Sequence, residues 1–437
     1  MTIRSTGFLL LVAGFGGTLF DFGGTVIAPA IPYLEELGAF TTAEISRLTS
    51  AVVWSAAVSC FLTGFLADRI GRKPTMALAG CLALAAMFLI CLSGGAFGPF
   101  YAGRLLQGLA AGMIGVVVPM YFVEVLPTAS RGKGAAVFQL LDIGGILLCS
   151  LVGIAVVRFL GAADDAAVSV AAKTRAWQVI FASNAGPSAL FLLGTLFLPE
   201  SPVFLNRRTH RVAPTAQDSQ ALIQREHVVP FLLAVVVLMC NQGTAVTSLQ
   251  YYAVKLFQDA GLPNALANTL NGVTMALFFG ATALALPLVD RVGRRPLMLV
   301  GTAGIVVCHL IASAVFFAIS RGVLGLGTGT GFAVSAAIAG VVFFFGMGPG
   351  VVAWLFLSEL MPNRIRAVGM SVAMFFNMVV AYLIADRMLV VGERFGHGPM
   401  FAIFAFSTVI YFLVTLFLLP ETKGRSFEEI ERSFCHE

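Results

Sequence analysis

Apolar runs of 18 residues or more recur along this chain from residue 7 to residue 419, separated by short polar breaks. A helix rising 1.5 Å per residue needs runs of that length to cross a bilayer, so each is read as one membrane crossing. The pattern predicts helices over 7–29, 43–66, 74–94, 98–122, 133–158 and 177–198, then over 228–256, 264–288, 296–319, 328–358, 367–391 and 399–419. The stretch from Asn206 to His227, rich in Arg, Gln and Ala, is the one substantial hydrophilic break and divides six helices from six. The predicted class is an all-α integral membrane protein with twelve transmembrane helices in two pseudo-symmetric halves. Its units are 1–205 and 228–421, a linker at 206–227 and a tail at 422–437.

The polar breaks repeat. Gly64-Phe-Leu-Ala-Asp68-Arg69-Ile-Gly71-Arg72-Lys73-Pro74 is echoed by Leu286-Pro-Leu-Val-Asp290-Arg291-Val-Gly293-Arg294-Arg295-Pro296. Glu124 precedes Pro127 and Arg131 as Glu359 precedes Pro362 and Arg366, and Pro199-Glu200-Ser is answered by Pro420-Glu421-Thr. The chain is thus a duplication, and two similar halves in a membrane are the build of a carrier that rocks around a central site.

Composition agrees, with 58% hydrophobic residues, 11% charged residues and a mean hydropathy of +0.92 over 437 residues. That much apolar surface does not fit inside one soluble core. Arg and Lys cluster at one set of loops, among them Arg69, Arg72, Lys73, Arg131, Arg291, Arg294, Arg295 and Arg366, which puts those loops and both termini in the cytoplasm. The net charge of +5 then calls for an anionic leaflet and no nucleic acid. The first apolar segment reads as a retained helix rather than a signal peptide. Six of the seven cysteines fall within predicted helices, so neither a disulfide framework nor a metal site is expected. The chain holds no Asn-x-Ser/Thr sequon, and the expected location is a bacterial inner membrane or a plasma membrane.

Further motifs join this series: Arg104-Leu-Leu-Gln-Gly108, Pro119-Met-Tyr121-Phe-Val-Glu124, Pro199-Glu200-Ser201-Pro202, Gln242 to Tyr252, Gly348-Pro349-Gly350 to Trp354 and Pro420-Glu421-Thr422-Lys423-Gly424-Arg425. Along nearly its whole length the chain resembles the sugar porter family of the major facilitator superfamily, with a shorter central linker than such porters usually carry. The resemblance implies a cytoplasmic gate in which Asp68, Arg69, Arg72, Glu124, Arg131 and Glu200 meet Asp290, Arg291, Arg294, Arg295, Glu359, Arg366 and Glu421 between the halves, separating when that side opens. The alternative is that these residues only set topology and solubilise loops.

Polar groups inside hydrocarbon are costly, so those that persist tend to face a watery cavity. Gln139 and Asp142 are three apart on the fifth predicted helix and share a face. Asn241, Gln242 and Thr247 sit mid-span in the seventh, Gly346 to Gly350 interrupt the tenth before Trp354, and Asn377 lies in the eleventh. Amides that donate and accept, beside an aromatic face, suit an uncharged polyol. By resemblance Gln139, Gln242, Trp354 and Asn377 are sugar contacts. Asn241 stands where a second Gln is usual and Thr247 where an Asn is usual. Met378, Ala381 and Phe278 lie where the family carries Trp, Asn and Asn, so the site is less polar than the hexose pattern. Amides between helices also serve as packing glue, which remains the other reading.

Asp21 in the first predicted helix and Arg104 in the fourth lie at matching depth, roughly 10 Å below the outer surface, and can pair. A carboxylate beside an Arg, protonated when the pair breaks, is a coupling device. Proton-linked porters are similar in having an Asp in helix one and an Arg in helix four, but Gly23 holds the Asp position here and Asp21 is about 200° round an ideal helix from it. Asp142 is a second candidate. The expected function is a secondary transporter of a monosaccharide, hexose first, by proton symport and alternating access, working as a single chain without a cofactor. Facilitated diffusion, or carriage of another polyol or organic solute, is the alternative. A membrane enzyme is disfavoured because the five histidines are scattered and no nucleophile triad accompanies the helices. A nutrient sensor would be expected to carry a long tail beyond Glu421.

Overall fold

In a computed structural model of the protein, residues 6–126, 128–209, 225–360 and 366–423 are described, and they are helical with no strand. The first half comprises α1 (Thr6–Thr25), α2 (Ile31–Glu36), α3 (Thr42–Ile70), α4 (Arg72–Cys91), α5 (Phe97–Val125), α6 (Thr128–Leu160), α7 (Val170–Ala182), α8 (Ala185–Leu196) and α9 (Pro202–Thr209). The second comprises α10 (Arg225–Gly243), α11 (Val246–Asp259), α12 (Asn264–Val292), α13 (Arg294–Ser320), α14 (Thr328–Met347), α15 (Pro349–Leu360), α16 (Arg366–Phe395) and α17 (His397–Phe417). Twelve helical stretches among these are long and apolar enough to cross a membrane. Three are broken pairs: α7 with α8, α10 with α11, and α14 with α15, the last at the glycines where the sequence predicts an interruption. The predicted linker lies partly outside the described residues, at 210–224, as does the tail beyond 423.

Local chemistry explains the ends. Thr41 caps α3 reciprocally: its hydroxyl accepts from Glu44 N–H at 3.3 Å, and Glu44 accepts from Thr41 N–H at 2.8 Å. Ser169 caps α7 at Ala172 N–H, 3.2 Å away, which starts the sixth crossing at Val170 rather than at the predicted 177. Charged Lys173 and Arg175 hid that first turn from a hydropathy reading. The first crossing ends at Thr25 rather than 29, and the chain then turns into α2, whose first turn holds Pro32.

Gly71 and Gly293, at φ +103° and +108°, make the tight joints α3–α4 and α12–α13. These mark one end of the bundle, here the turn end, and the opposite is the far end. The halves meet along α3 with α16 and α6 with α12, two contacts related by the internal repeat. At the far end one apolar core crosses both halves, from Phe22, Ile31 and Trp177 to Tyr252, Phe257 and Phe401. At the turn end it gives way, among the described residues, to two cores, one per half: Leu9, Met76, Tyr121 and Leu198 in the first, Leu233, Met298, Phe356 and Leu419 in the second. Phe61, Phe65, Phe88, Phe197 and Phe406 are exposed on the outside, as a lipid-facing surface requires.

Candidate functional site

At the turn end the duplicated motifs build the same device twice. Glu200 accepts from the N–H groups of Arg72 (3.0 Å) and Lys73 (3.2 Å), and Glu421 accepts from those of Arg294 and Arg295, both at 3.1 Å. Each acid thus caps the positive start of the following helix, α4 or α13. Burial works against the charge on Glu421, but main-chain N–H groups of Lys423, Arg294, Arg295 and Thr422 outweigh it and hold its pKa below the ordinary 4.5. Lys73 and Arg295 in turn donate to the carbonyls of Leu196 (2.9 Å) and Leu416 (2.5 Å), near the ends of α8 and α17.

Arg72 is buried and grips Glu124 at 2.9–3.2 Å, Asp68 at 2.8 Å and the Ala67 carbonyl at 3.0 Å. Glu124 also accepts a hydrogen bond from the Ser201 hydroxyl. Arg294 reaches Asp290 at 3.2 Å and the Val289 carbonyl at 3.3 Å. The described pairs of these turn-end residues join groups of the same half; the sequence reading has them meet across the halves when that side is closed and separate when it opens. Arg69 and Arg291 are exposed. The side chains of Arg131, Glu359 and Arg366 lie outside the described residues.

In mid-bundle the polar residues of the second half form a network around the α10–α11 break. Thr247 donates to the Gln242 side-chain Oε1 (2.9 Å), Gln242 donates through Nε2 to Asn377 Oδ1 (3.3 Å), and Asn377 donates to the Leu238 main-chain carbonyl (2.8 Å). Gln242 and Thr247 are half-buried, while Asn377 is fully buried. Asn241 points elsewhere, donating to the Pro349 carbonyl at 3.0 Å and so tying the α10–α11 break to the α14–α15 break. Gln139 on α6 and Trp354 on α15 are half-buried. Phe278 packs against Phe345, with ring centroids 6.2 Å apart.

Arg104 is wholly buried and engaged by other partners than Asp21. It donates to the carbonyls of Gly23 (2.6 Å), Gly24 (3.2 Å) and Leu48 (2.9 Å) and to Gln107 Oε1 (2.8 Å). The main chain where α1 ends supplies the oxygens that the sequence reading assigns to a carboxylate. Asp21 is instead the electrostatic neighbour of Asp142, a buried carboxyl on α6 with one oxygen lacking a hydrogen-bond partner. The helices that carry them touch closely, a Cβ on Gly145 falling 2.3 Å from the Thr18 carbonyl oxygen.

The far end carries a seal between the halves that the sequence reading did not name. Lys255 bridges Glu35 of the first half at 2.9 Å and Asp259 of its own helix at 3.1 Å, and His397 lies 3.1 Å from Asp259. Thr42 donates to Glu393 at 2.5 Å, Ser50 to Asp386 at 3.1 Å, and Trp54 packs on Tyr382 with ring centroids 5.4 Å apart. From α12, Asn271 donates to Ser150 (3.1 Å) and Asn264 N–H to Asp164 (2.7 Å). Asn264, Asn268 and Asn271 stand at i, i+4 and i+7, a polar stripe on one face of the eighth crossing that its spacing makes readable.

Comparison with known proteins extends this picture. The family profile described as "Sugar (and other) transporter" matches residues 9–219 and 209–434. Facilitated glucose transporter member 2 of Sus scrofa is 29% identical over 439 residues, covering 90% of this chain and 79% of that one. The galactose-proton symporter of Escherichia coli (strain K12) is 28% identical over 467 residues, covering 98% and 94%. The crystal structure of a D-xylose-proton symporter shares the fold, with a TM-score of 0.81 and 23% identity over 97% of this chain and 100% of that one.

Proposed function

This chain belongs to the sugar transporter family, and on that premise we propose that it carries a monosaccharide across a membrane by alternating access, with the turn end and both termini in the cytoplasm. The observation that carries the reading is the bonded trio Thr247, Gln242 and Asn377 at the break of the seventh crossing. Half-buried amide and hydroxyl groups that already exchange hydrogen bonds can transfer them to sugar hydroxyls at little net cost. Gln139 extends the polar lining from the other half, and Trp354 offers the aromatic surface on which the C–H face of a sugar packs. Asn241 serves as a brace rather than a contact. The halves, 1–205 and 228–421, rock about this site as single-chain units joined by the linker at 206–227.

With the turn end inward, one core and a polar seal outside and, among the described residues, two separate cores inside support reading this arrangement as the inward-facing member of the cycle. The turn-end acids and bases then belong to the half-specific arrangement described above. Closing that side brings the two capped turns together, and pairs across the halves replace some of those within them.

Asp21 and Asp142, carboxyls on the closely touching helices α1 and α6, make the coupling site for an inward proton gradient, each able to take up and release a proton. One observation favours a second reading, facilitated diffusion: Arg104 is bonded to main-chain carbonyls and Gln107, not to a carboxylate. Counterflow of labelled D-glucose in proteoliposomes tests the site, and gradient-driven accumulation tests the coupling. Gln242→Leu is expected to weaken sugar competition about tenfold by removing two hydrogen bonds. Asp21→Asn and Asp142→Asn are expected to abolish accumulation and spare counterflow. Accumulation that survives both aspartate changes refutes the coupling site, and an unchanged Gln242→Leu protein refutes the sugar site.

A further inference from the structure

The trio at the α10–α11 break exists only because the helix is broken. Thr247 and Gln242 are five residues apart, and in an uninterrupted helix their side chains would point about 140° away from each other. The break is made at Ala245, which sits at φ +59° and ψ +12° and is the one non-glycine residue with positive φ among the described residues. A side chain in that left-handed region carries a steric cost, so the surroundings have to hold it there.

The break also strands a carbonyl. In a continuous helix the Thr244 oxygen would accept from the amide of Ser248, but α11 starts at Val246 and takes its first described bond from Leu249 to Ala245, at 2.8 Å. The Thr244 oxygen is met instead by His309 of α13, whose Nε2 lies 3.0 Å away. A carbonyl only accepts, so Nε2 carries the proton. His309 is completely buried, between Phe401 and Phe404 of α17 at centroid distances of 5.9 Å each, and its Nδ1 has no hydrogen-bond partner. The imidazole thus spends its polar capacity on one contact, directed at the break from the side of α13.

We propose that His309 is a positioning residue of the sugar site: its bond to the Thr244 carbonyl holds the left-handed step at Ala245, and that step turns Thr247 onto Gln242 and Gln242 onto Asn377. The sugar-binding role of the trio rests on the function proposed above. The clamp itself does not. Removing the donor leaves a buried carbonyl unpaired and lets the α10–α11 joint relax toward other geometries, so a smaller share of molecules presents the trio.

The test compares His309→Gln, whose Nε2 can reach the same oxygen, with His309→Phe, which keeps the bulk and loses the donor, and with His309→Phe carrying Ala245→Gly, which removes the steric cost of the step. Each purified protein is checked for folding by thermal melting. Two quantities are read: KM and Vmax for D-glucose in proteoliposomes, and amide hydrogen exchange over residues 244–252. His309→Phe is expected to raise KM about tenfold with a smaller change in Vmax, and to speed exchange at the break. His309→Gln is expected to stay within about twofold of the native protein, and Ala245→Gly to recover part of both losses. Folded His309→Phe protein with unchanged exchange overturns the clamp, as does a Gln variant as impaired as the Phe variant or a glycine that recovers nothing. If the native protein moves none of the sugars tried, the sugar reading falls while the exchange comparison still decides the clamp.

Discussion

Lys255→Met probes the seal. Lys255 is the cation between Glu35, 2.9 Å away on the first half, and Asp259, 3.1 Å away on its own helix. All three side chains are about a quarter exposed, so the bridge between halves is worth about 1 kcal/mol rather than the larger figure of a dry ion pair. Its loss alone shifts the balance between sealed and opened far ends about fivefold. Removing the cation also leaves Glu35 facing Asp259, with Glu393 nearby, so attraction across the seal becomes repulsion and the shift should exceed that figure. The assay is the rate at which an impermeant maleimide, added outside, labels native Cys149, buried in the shared far-end core, with the other cysteines changed to Ser. Labelling is expected to quicken at least fivefold in Lys255→Met and to stay near the native rate in Lys255→Arg. Burial raises the pKa of Glu35 above 4.5, its acidic neighbours add to that, and Lys255 opposes it. A raised carboxyl pKa makes the sealed form the better proton holder, so the seal gains as pH falls and loses that gain as pH rises through the shifted value. Acid outside should therefore reseal the Met variant. A labelling rate unchanged from native, in a variant that melts like the native protein, would mean that Lys255 does not hold the far end closed.

Other consequences are equally open to measurement. Gly145→Val drives a side chain into the Thr18 carbonyl and is expected to cost about 1–3 kcal/mol, seen as a lowered melting temperature, whereas Gly186→Ala, facing open space, should leave it unchanged. Glu421→Gln weakens the cap on α13 by about 1 kcal/mol. Because the Glu421 pKa is lowered, its stabilisation is full above the ordinary carboxylate range and fades as pH falls through the lowered value, so the melting temperature of the variant should vary less across acid pH. Asn377→Asp replaces the donor to the Leu238 carbonyl with an acceptor, and sugar competition is expected to weaken roughly tenfold while the expression level holds.

Hydropathy made the crossings and their pairing into halves readable, because the cost of unpaired backbone in lipid leaves helices few alternatives. The duplicated turns were readable for the same reason that they recur: Gly71 and Gly293 each take a positive φ that other residues resist. What stayed hidden was direction. The sequence places Asp21 and Arg104 at one depth, but only the fold shows the end of α1 turning the Gly23 and Gly24 carbonyls onto the guanidinium. Glu200 and Glu421 read as gate acids, and their capping of α4 and α13 depends on chain segments that are distant in sequence. Lys255 lies in a crossing of the second half and Glu35 in the short α2 between two crossings of the first, and a reading of single helices cannot pair them. His309 looked like one scattered histidine, since nothing in its neighbourhood along the chain announces the break at Ala245 that it serves.

Carriage of a monosaccharide by this protein is to be measured as uptake of labelled monosaccharides, D-glucose first, into proteoliposomes holding the purified protein, with and without an inward proton gradient. Saturable uptake is expected in both conditions, with accumulation above equilibrium only with the gradient. Folded protein that takes up no monosaccharide in either condition would contradict it.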